Sequence, residues 1–176
     1  QKIYAAKGRP SDNPLIVHIC SMEALKPIVE EIPEAVERLA EAFWPGPLTI
    51  IMKKSELVPK ETTGGLETVA VRMPSHPIAQ KFIEYAGGYV AAPSANVSGR
   101  PSPTKAKYVI EDMIGRIDMI LDGDGIDIGL ESTIVDMTVE PPMILRPGAI
   151  TKDMLEEVIG EVAVDETLFY ESSEEA

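Results

Sequence analysis

Apolar residues follow two alternating rhythms along this chain. Short, nearly unbroken apolar runs, of the kind that fill a strand buried in a sheet, occur at Leu15–Ile19, Leu48–Met52, Val69–Arg72 and Tyr89–Ala92. Ile117–Leu121, Thr133–Asp136 and Met143–Leu145 read the same way. Between the runs lie stretches with helical spacing. Val36, Leu39, Ala40 and Phe43 fall at i, i+3, i+4 and i+7, and Pro33 suits a first turn, so a helix is predicted over about Glu34–Phe43. Trp44-Pro45-Gly46-Pro47 ends it. Pro77 opens a second helix through about Tyr85, stopped by Gly87-Gly88. Thr104 is placed to cap a helix reaching Met113, Ser21 to cap a short one, and Thr151 to cap a last one over Lys152–Ile159. Gln1–Gly8 reads as the tail of a helix whose beginning is absent. Strands alternating with helices imply an α/β fold, and 176 residues suit one domain with a real core. The pattern holds over residues 1–160; residues 161–176 carry acids and no base and read as a flexible acidic linker or tail.

Charge narrows the function classes. With 29 acids against 16 bases the formal charge is −13, which argues for weak or no direct nucleic-acid binding, because gripping a phosphate backbone needs clustered Lys and Arg. A small anion is another matter: a few cations focused in a cleft hold a phosphate on an acidic protein. A single cysteine, Cys20, makes no internal disulfide, and without a CxxC pair it argues against a zinc site. No apolar run is long enough to cross a membrane, and the first residues lack a signal-peptide core. A cytoplasmic protein with no membrane partner is the expectation.

The six arginines are the first chemical signal. Arg9, Arg100 and Arg146 directly precede proline, and Arg72 lies two residues before Pro74, so these four sit at strand ends or in loops. Loops at strand ends are where open α/β sheets bind ligands, although an Arg-Pro pair can equally do no more than close a strand. KGRPSDNP, residues 7–14, places Lys7 and Arg9 around a glycine with Ser11 and Asn13 nearby. That suits a polyphosphate; a helix end with solvated charges explains it as well. APSANVSGRPSPTKAK, residues 92–107, crowds Ser94, Asn96, Ser98, Ser102 and Thr104 directly after a strand, with Arg100, Lys105 and Lys107 interleaved. Small residues let a ligand approach the backbone, but the stretch is not a GxxxxGK[ST] phosphate loop. In GLESTIVDM, residues 129–137, Ser132 and Thr133 open a strand, and in ILRPGAI, residues 144–150, Arg146 ends one. His18 and His76 are far apart in sequence, and a lone histidine on a strand is more often structural. Asp122-Gly-Asp124-Gly-Ile-Asp127 lacks the rest of a calcium loop and reads as a turn.

Taken together and in order, KGRPSDNPLIVHI, WPGPLT, VAVRMPSHP, AAPSANVSGRPSPT, ESTIVD and ILRPGAI resemble the YrdC-like family, specifically its threonylcarbamoyl-AMP synthases, over residues 7–150. The resemblance implies a twisted open sheet with flanking helices and a concave ligand cleft. It implies formation of threonylcarbamoyl-AMP and pyrophosphate from L-threonine, bicarbonate and ATP, with Mg2+ accompanying the nucleotide, and a product passed to a threonylcarbamoyl transferase that modifies tRNA. Carried over motif by motif, it assigns ATP contacts to Lys7, Arg9, Asn13, Thr68, Ser94, Asn96, Ser102 and Arg146, with Lys7 and Arg9 as the catalytic cations. Threonine contacts fall to His18, Arg72, Ala92 through its backbone, and Ser132; no residue is assigned to a metal. The chain departs from the family in having no upstream strand with a PTET-type threonine motif, and its acidic end resembles the start of a linker to a second domain. An RNA-binding module, or a relative making a different carbamoyl or acyl adenylate, are the alternatives.

Overall fold

The computed structural model describes residues 1–125 and 128–170. In chain order it contains α1 (Lys2–Lys7), β1 (Ile16–His18), 3-10 turns at Met22–Ala24 and Lys26–Ile28, α2 (Glu34–Phe43), β2 (Leu48–Lys53), α3 (Lys60–Thr63), β3 (Thr68–Arg72), α4 (Pro77–Tyr85), β4 (Val90–Ala92), α5 (Ala106–Met113), β5 (Thr133–Asp136), β6 (Met143–Arg146), α6 (Lys152–Ile159), β7 (Ala163–Val164) and α7 (Thr167–Tyr170). The strands form one mixed sheet in the order β4-β1-β3-β2-β5-β6-β7.

Register decides which side chains share a face, because paired residues point the same way and successive ones alternate. Val17 pairs with Val71, Val71 with Ile50, Ile50 with Val135, and Val135 with Ile144. These residues, with Leu48, Met52 and Val69, form a continuous apolar face that is almost fully buried. Helix α2 covers it with Val36, Leu39 and Ala40, and α6 with Leu155. Each buried Val, Leu, Ile or Met among them contributes roughly 1.5–3 kcal/mol by leaving water. The opposite face pairs Ala92 with Ile16, His18 and Thr49 with Arg72, Thr68 with Lys53, and Ile134 with Arg146. It is small, polar and cationic, and most of it is only half-buried.

The helix over 34–43 and the Thr151 cap follow the sequence pattern; Thr151 Oγ1 accepts from Met154 N at 3.3 Å. Several expectations need correction. Ile117–Leu121 is not a strand: it pairs with no neighbour, and Ile117, Met119 and Leu121 stay exposed. β-propensity makes a strand only where a hydrogen-bonding edge is at hand. Thr104 does not cap α5; Lys105 stands at that position without a side-chain cap. Ser21 likewise precedes a 3-10 turn without capping it. The acidic stretch after Gly160 is not all tail, since Val162 is buried and Ala163–Val164 extend the sheet beside β6. Two apolar residues among the acids suffice to dock it. Asp122 and Asp124 form a tight turn, Asp124 N donating to Asp122 Oδ1 at 3.1 Å; Asp127 and residues 171–176 lie outside the described residues.

Candidate functional site

The polar face of the sheet has two cationic poles. The first lies where α1 ends and β4 runs into its loop. Gly8 takes a left-handed φ of 64°, which terminates α1 and leaves Lys7 turned inward, only 4% exposed. Its ammonium donates to the carbonyls of Ser94 and Asn96, and to Asn96 Oδ1 at 3.4 Å. Asn96 in turn donates to Arg100 O at 2.6 Å and Val97 O at 3.1 Å. From α5, Asp112 accepts from Val97 N at 3.2 Å and pairs with Arg100. The PSAN loop is therefore tied to two helices. Burial first, and then Arg9, push the Lys7 amine below its ordinary range, with Asp112 partly opposing. Arg9 turns toward its own loop, donating to Asn13 Oδ1 at 2.8 Å and Pro14 O at 2.9 Å, while its Nε is buried without a partner among the described residues. Gly64 holds that loop from below, since a Cβ there would lie 2.2 Å from Asp12 O.

The second pole gathers the ends of β1, β3 and β6 and the start of β5. His18 and Arg72 are cross-strand neighbours. His18 Nδ1 lies 3.0 Å from Ile16 O and must donate to it, so the neutral ring keeps Nε2 as an acceptor. Burial, and then the Arg72 charge, hold the imidazole below its ordinary range. Arg72 donates from Nε to Gly46 O at 3.3 Å. Burial and the nearby Arg146 both weaken its hold on its proton, though a guanidinium stays charged at neutral pH. Among the described residues Arg72 has no carboxylate partner. Arg146 is better satisfied: Nε donates to Ser132 O and Nη2 to Ser132 Oγ, both at 3.0 Å. Ser132, 3% exposed, is fixed by Thr49 Oγ1 at 2.7 Å. Gly148 makes this approach possible, because a Cβ there would lie 2.6 Å from Glu131 O and from Thr133 N.

The structure thus brings Lys7, Ser94 and Asn96 into one cluster, Arg9 and Asn13 into a second, and Ser102, Ser132 and Arg146 into a third around Glu131. His18 and Arg72 stand beside that third group. Thr68 and Ala92 share the face but touch none of these side chains through a hydrogen bond; Thr68 starts β3, about 13 Å along the strand from Arg72. Glu131, Thr49 and Asp112 escaped sequence reasoning. Thr49 leaves a trace, a polar residue inside an apolar run, whereas an acid before Ser132 or late in a helix has no such mark. A groove of ≈ 420 Å³ lined by Val17, Ile28, Leu57, Val58, Tyr89 and Ala91 lies on the other face. It contains no charged group, whereas the polar face carries the cations.

The Sua5/YciO/YrdC family model, described as Telomere recombination, matches residues 1–148. The threonylcarbamoyl-AMP synthase of Pyrococcus abyssi is 53% identical over 176 residues, covering 100% of this chain and 52% of that protein. The enzyme of the same name from Bacillus subtilis is 51% identical over 169 residues, covering 96% of this chain and 49% of that protein. A crystal structure of P. abyssi Sua5 complexed with L-threonine superposes with a TM-score of 0.93 at 54% identity, over 96% of this chain and 49% of that one. The chain spans about half the length of these relatives.

Proposed function

The chain belongs to the Sua5/YciO/YrdC family, and on that premise we propose that its polar cleft forms threonylcarbamoyl-AMP and pyrophosphate from L-threonine, bicarbonate and ATP. One observation carries the proposal. Arg72 is a half-buried cation with no acid partner among the described residues, beside a second arginine and a histidine held neutral. Such a group lowers its energy by taking a carboxylate from outside, and its planar fork suits a bidentate one. The relatives' name and the threonine complex of P. abyssi Sua5 point to an amino-acid carboxylate.

In this scheme threonine places its carboxylate on Arg72, with His18 Nε2 accepting from the amine or hydroxyl, and Ser132 and the Ala92 backbone completing the pocket. The unprotonated amine adds to carbon dioxide drawn from bicarbonate, forming a carbamate and releasing a proton. A carbamate oxygen attacks the α-phosphorus of ATP, and the bond to pyrophosphate breaks. Lys7, Arg9, Asn13, Thr68, Ser94, Asn96, Ser102 and Arg146 take the nucleotide. Lys7 contributes charge more than hydrogen bonds, because its donors already hold the PSAN loop. Adenylate transfer of this kind depends on positioning and charge neutralisation, without a covalent nucleophile. Among the described residues no three His, Cys, Asp or Glu side chains are grouped to cage a metal, so Mg2+ would enter as MgATP, held by phosphate oxygens. Residues 1–160, together with the β7 segment that docks beside β6, would form the catalytic domain. The cytoplasm, and a transferase that takes up the reactive adenylate for tRNA modification, form the corresponding setting.

Pyrophosphate release by the purified chain tests this. Release that requires ATP, L-threonine and bicarbonate together is expected; release indifferent to threonine rejects the assignment.

A further inference from the structure

Glu131 is not among the residues assigned to either substrate, yet its carboxylate reaches two of them. Oε1 accepts from Ser102 Oγ at 2.6 Å, and Oε2 lies 3.0 Å from Arg146 Nη1. Ser102 comes from the loop after β4 and Arg146 from the end of β6, so one acid bridges two separate parts of the cleft. Arg146 does not depend on this acid for its position, because Nε and Nη2 are already clamped by buried Ser132. What remains is Nη1 and the Ser102 hydroxyl: two donors that converge on one spot, where two oxygens of a phosphate could replace the two carboxylate oxygens. The Glu131 side chain is 46% exposed, so it can rotate into water without burying a charge. A partly exposed ion pair of this type is weak. A polyphosphate held elsewhere in the cleft can displace it, whereas a single phosphate with few other anchors competes poorly.

We infer that Glu131 is a built-in counter-anion that occupies the Ser102–Arg146 phosphate position until a polyphosphate displaces it, which lowers nucleotide affinity and excludes free phosphate. The inference rests on the assignment of Ser102 and Arg146 to the nucleotide.

Calorimetric titration of the full chain and of Glu131→Gln, with MgATP and separately with inorganic phosphate, tests it. The variant is expected to bind ATP about three- to tenfold more tightly, since a neutral amide competes less for Arg146 and no longer repels the triphosphate. Phosphate binding is expected to be undetectable in the parent chain and to become measurable in the variant. Glu131→Ala moves affinity in the same direction and controls for hydrogen bonds kept by the amide. Weaker ATP binding in both variants makes Glu131 a support for Arg146 and overturns the inference, as does unchanged affinity. If the parent chain and both variants all fail to bind ATP, the nucleotide assignment falls and the inference with it.

Discussion

The two faces of the sheet are made by the same strands, yet they obey different rules. On the covered face Val17, Ile50, Val71 and Val135 meet side by side and are buried under α2 and α6. Every group there is satisfied by packing alone. On the other face the same strands present His18, Thr68, Arg72, Thr49 and, at the end of β6, Arg146. These side chains are poor material for a core, and two of the cations face each other. One face holds the fold together, while the other carries unsatisfied charge on a rigid support, which is the condition for binding an anion with precision of placement.

The largest effect that separates the faces is on stability. Ile50→Ala removes a fully buried side chain from the middle of the sheet and is expected to destabilise the protein by about 2–5 kcal/mol. Thr68→Ala, on the opposite face, should stay within about 1 kcal/mol. Urea denaturation of the two variants reads the difference directly. Comparable losses would mean that the cleft face also supports the fold, and the division would fail.

Arg72 sharpens the contrast, because there stability and function should move apart. Arg72→Leu deletes a half-buried cation without an acid partner and replaces it with an apolar side chain, so stability should hold or rise by up to about 1 kcal/mol. Loss of a bidentate carboxylate contact should raise the KM for threonine by roughly 100-fold, with the KM for ATP changed by less than about threefold. Steady-state kinetics beside a thermal melt measures both. A variant that loses ATP binding along with threonine would show that the cleft is not divided as assigned.

The covered face was largely legible in the sequence, because apolar periodicity is set by burial, and burial builds that face. Val36, Leu39 and Ala40 on α2 illustrate it: spacing alone gave their direction. Ile117–Leu121 shows the limit, since the same apolar signal says nothing about whether a strand edge is available to pair with. The cleft was legible as a set of motifs but not as an arrangement. Proline one or two residues after Arg9, Arg72, Arg100 and Arg146 marked them as strand-end or loop residues, and Arg72 and Arg146 are the last residues of β3 and β6. Which of them would be neutralised depended on contacts distant in sequence. Arg100 pairs with Asp112 and Arg146 with Glu131, whereas Arg72 finds no acid among the described residues. Lys7 is a similar case: its motif suited either a polyphosphate ligand or a solvated helix end, and its burial against Ser94 and Asn96 is a tertiary fact.

The smallest effect concerns the proton on His18. Burial is the main force keeping its imidazole below the ordinary value of 6.5, and the Arg72 charge adds to it. The unfolded chain therefore takes up this proton first as pH falls through 6.5, and the folded state follows only at lower pH. The contribution of His18 to stability is complete above 6.5 and declines with acid between 6.5 and the folded value. Histidine Cε1 resonances followed by NMR report the folded midpoint, and with only two histidines in the chain the assignment is direct. The His18 midpoint should lie below 6.5 and move upward in Arg72→Leu. Burial still lowers it there, against the backbone hydrogen bonds of Ile16 and Val90, which raise it. A midpoint at or above 6.5 in the parent chain would make the ring cationic near neutrality. It could then no longer accept from a threonine amine, and the neutral acceptor assigned to this end of the cleft would have to be sought elsewhere.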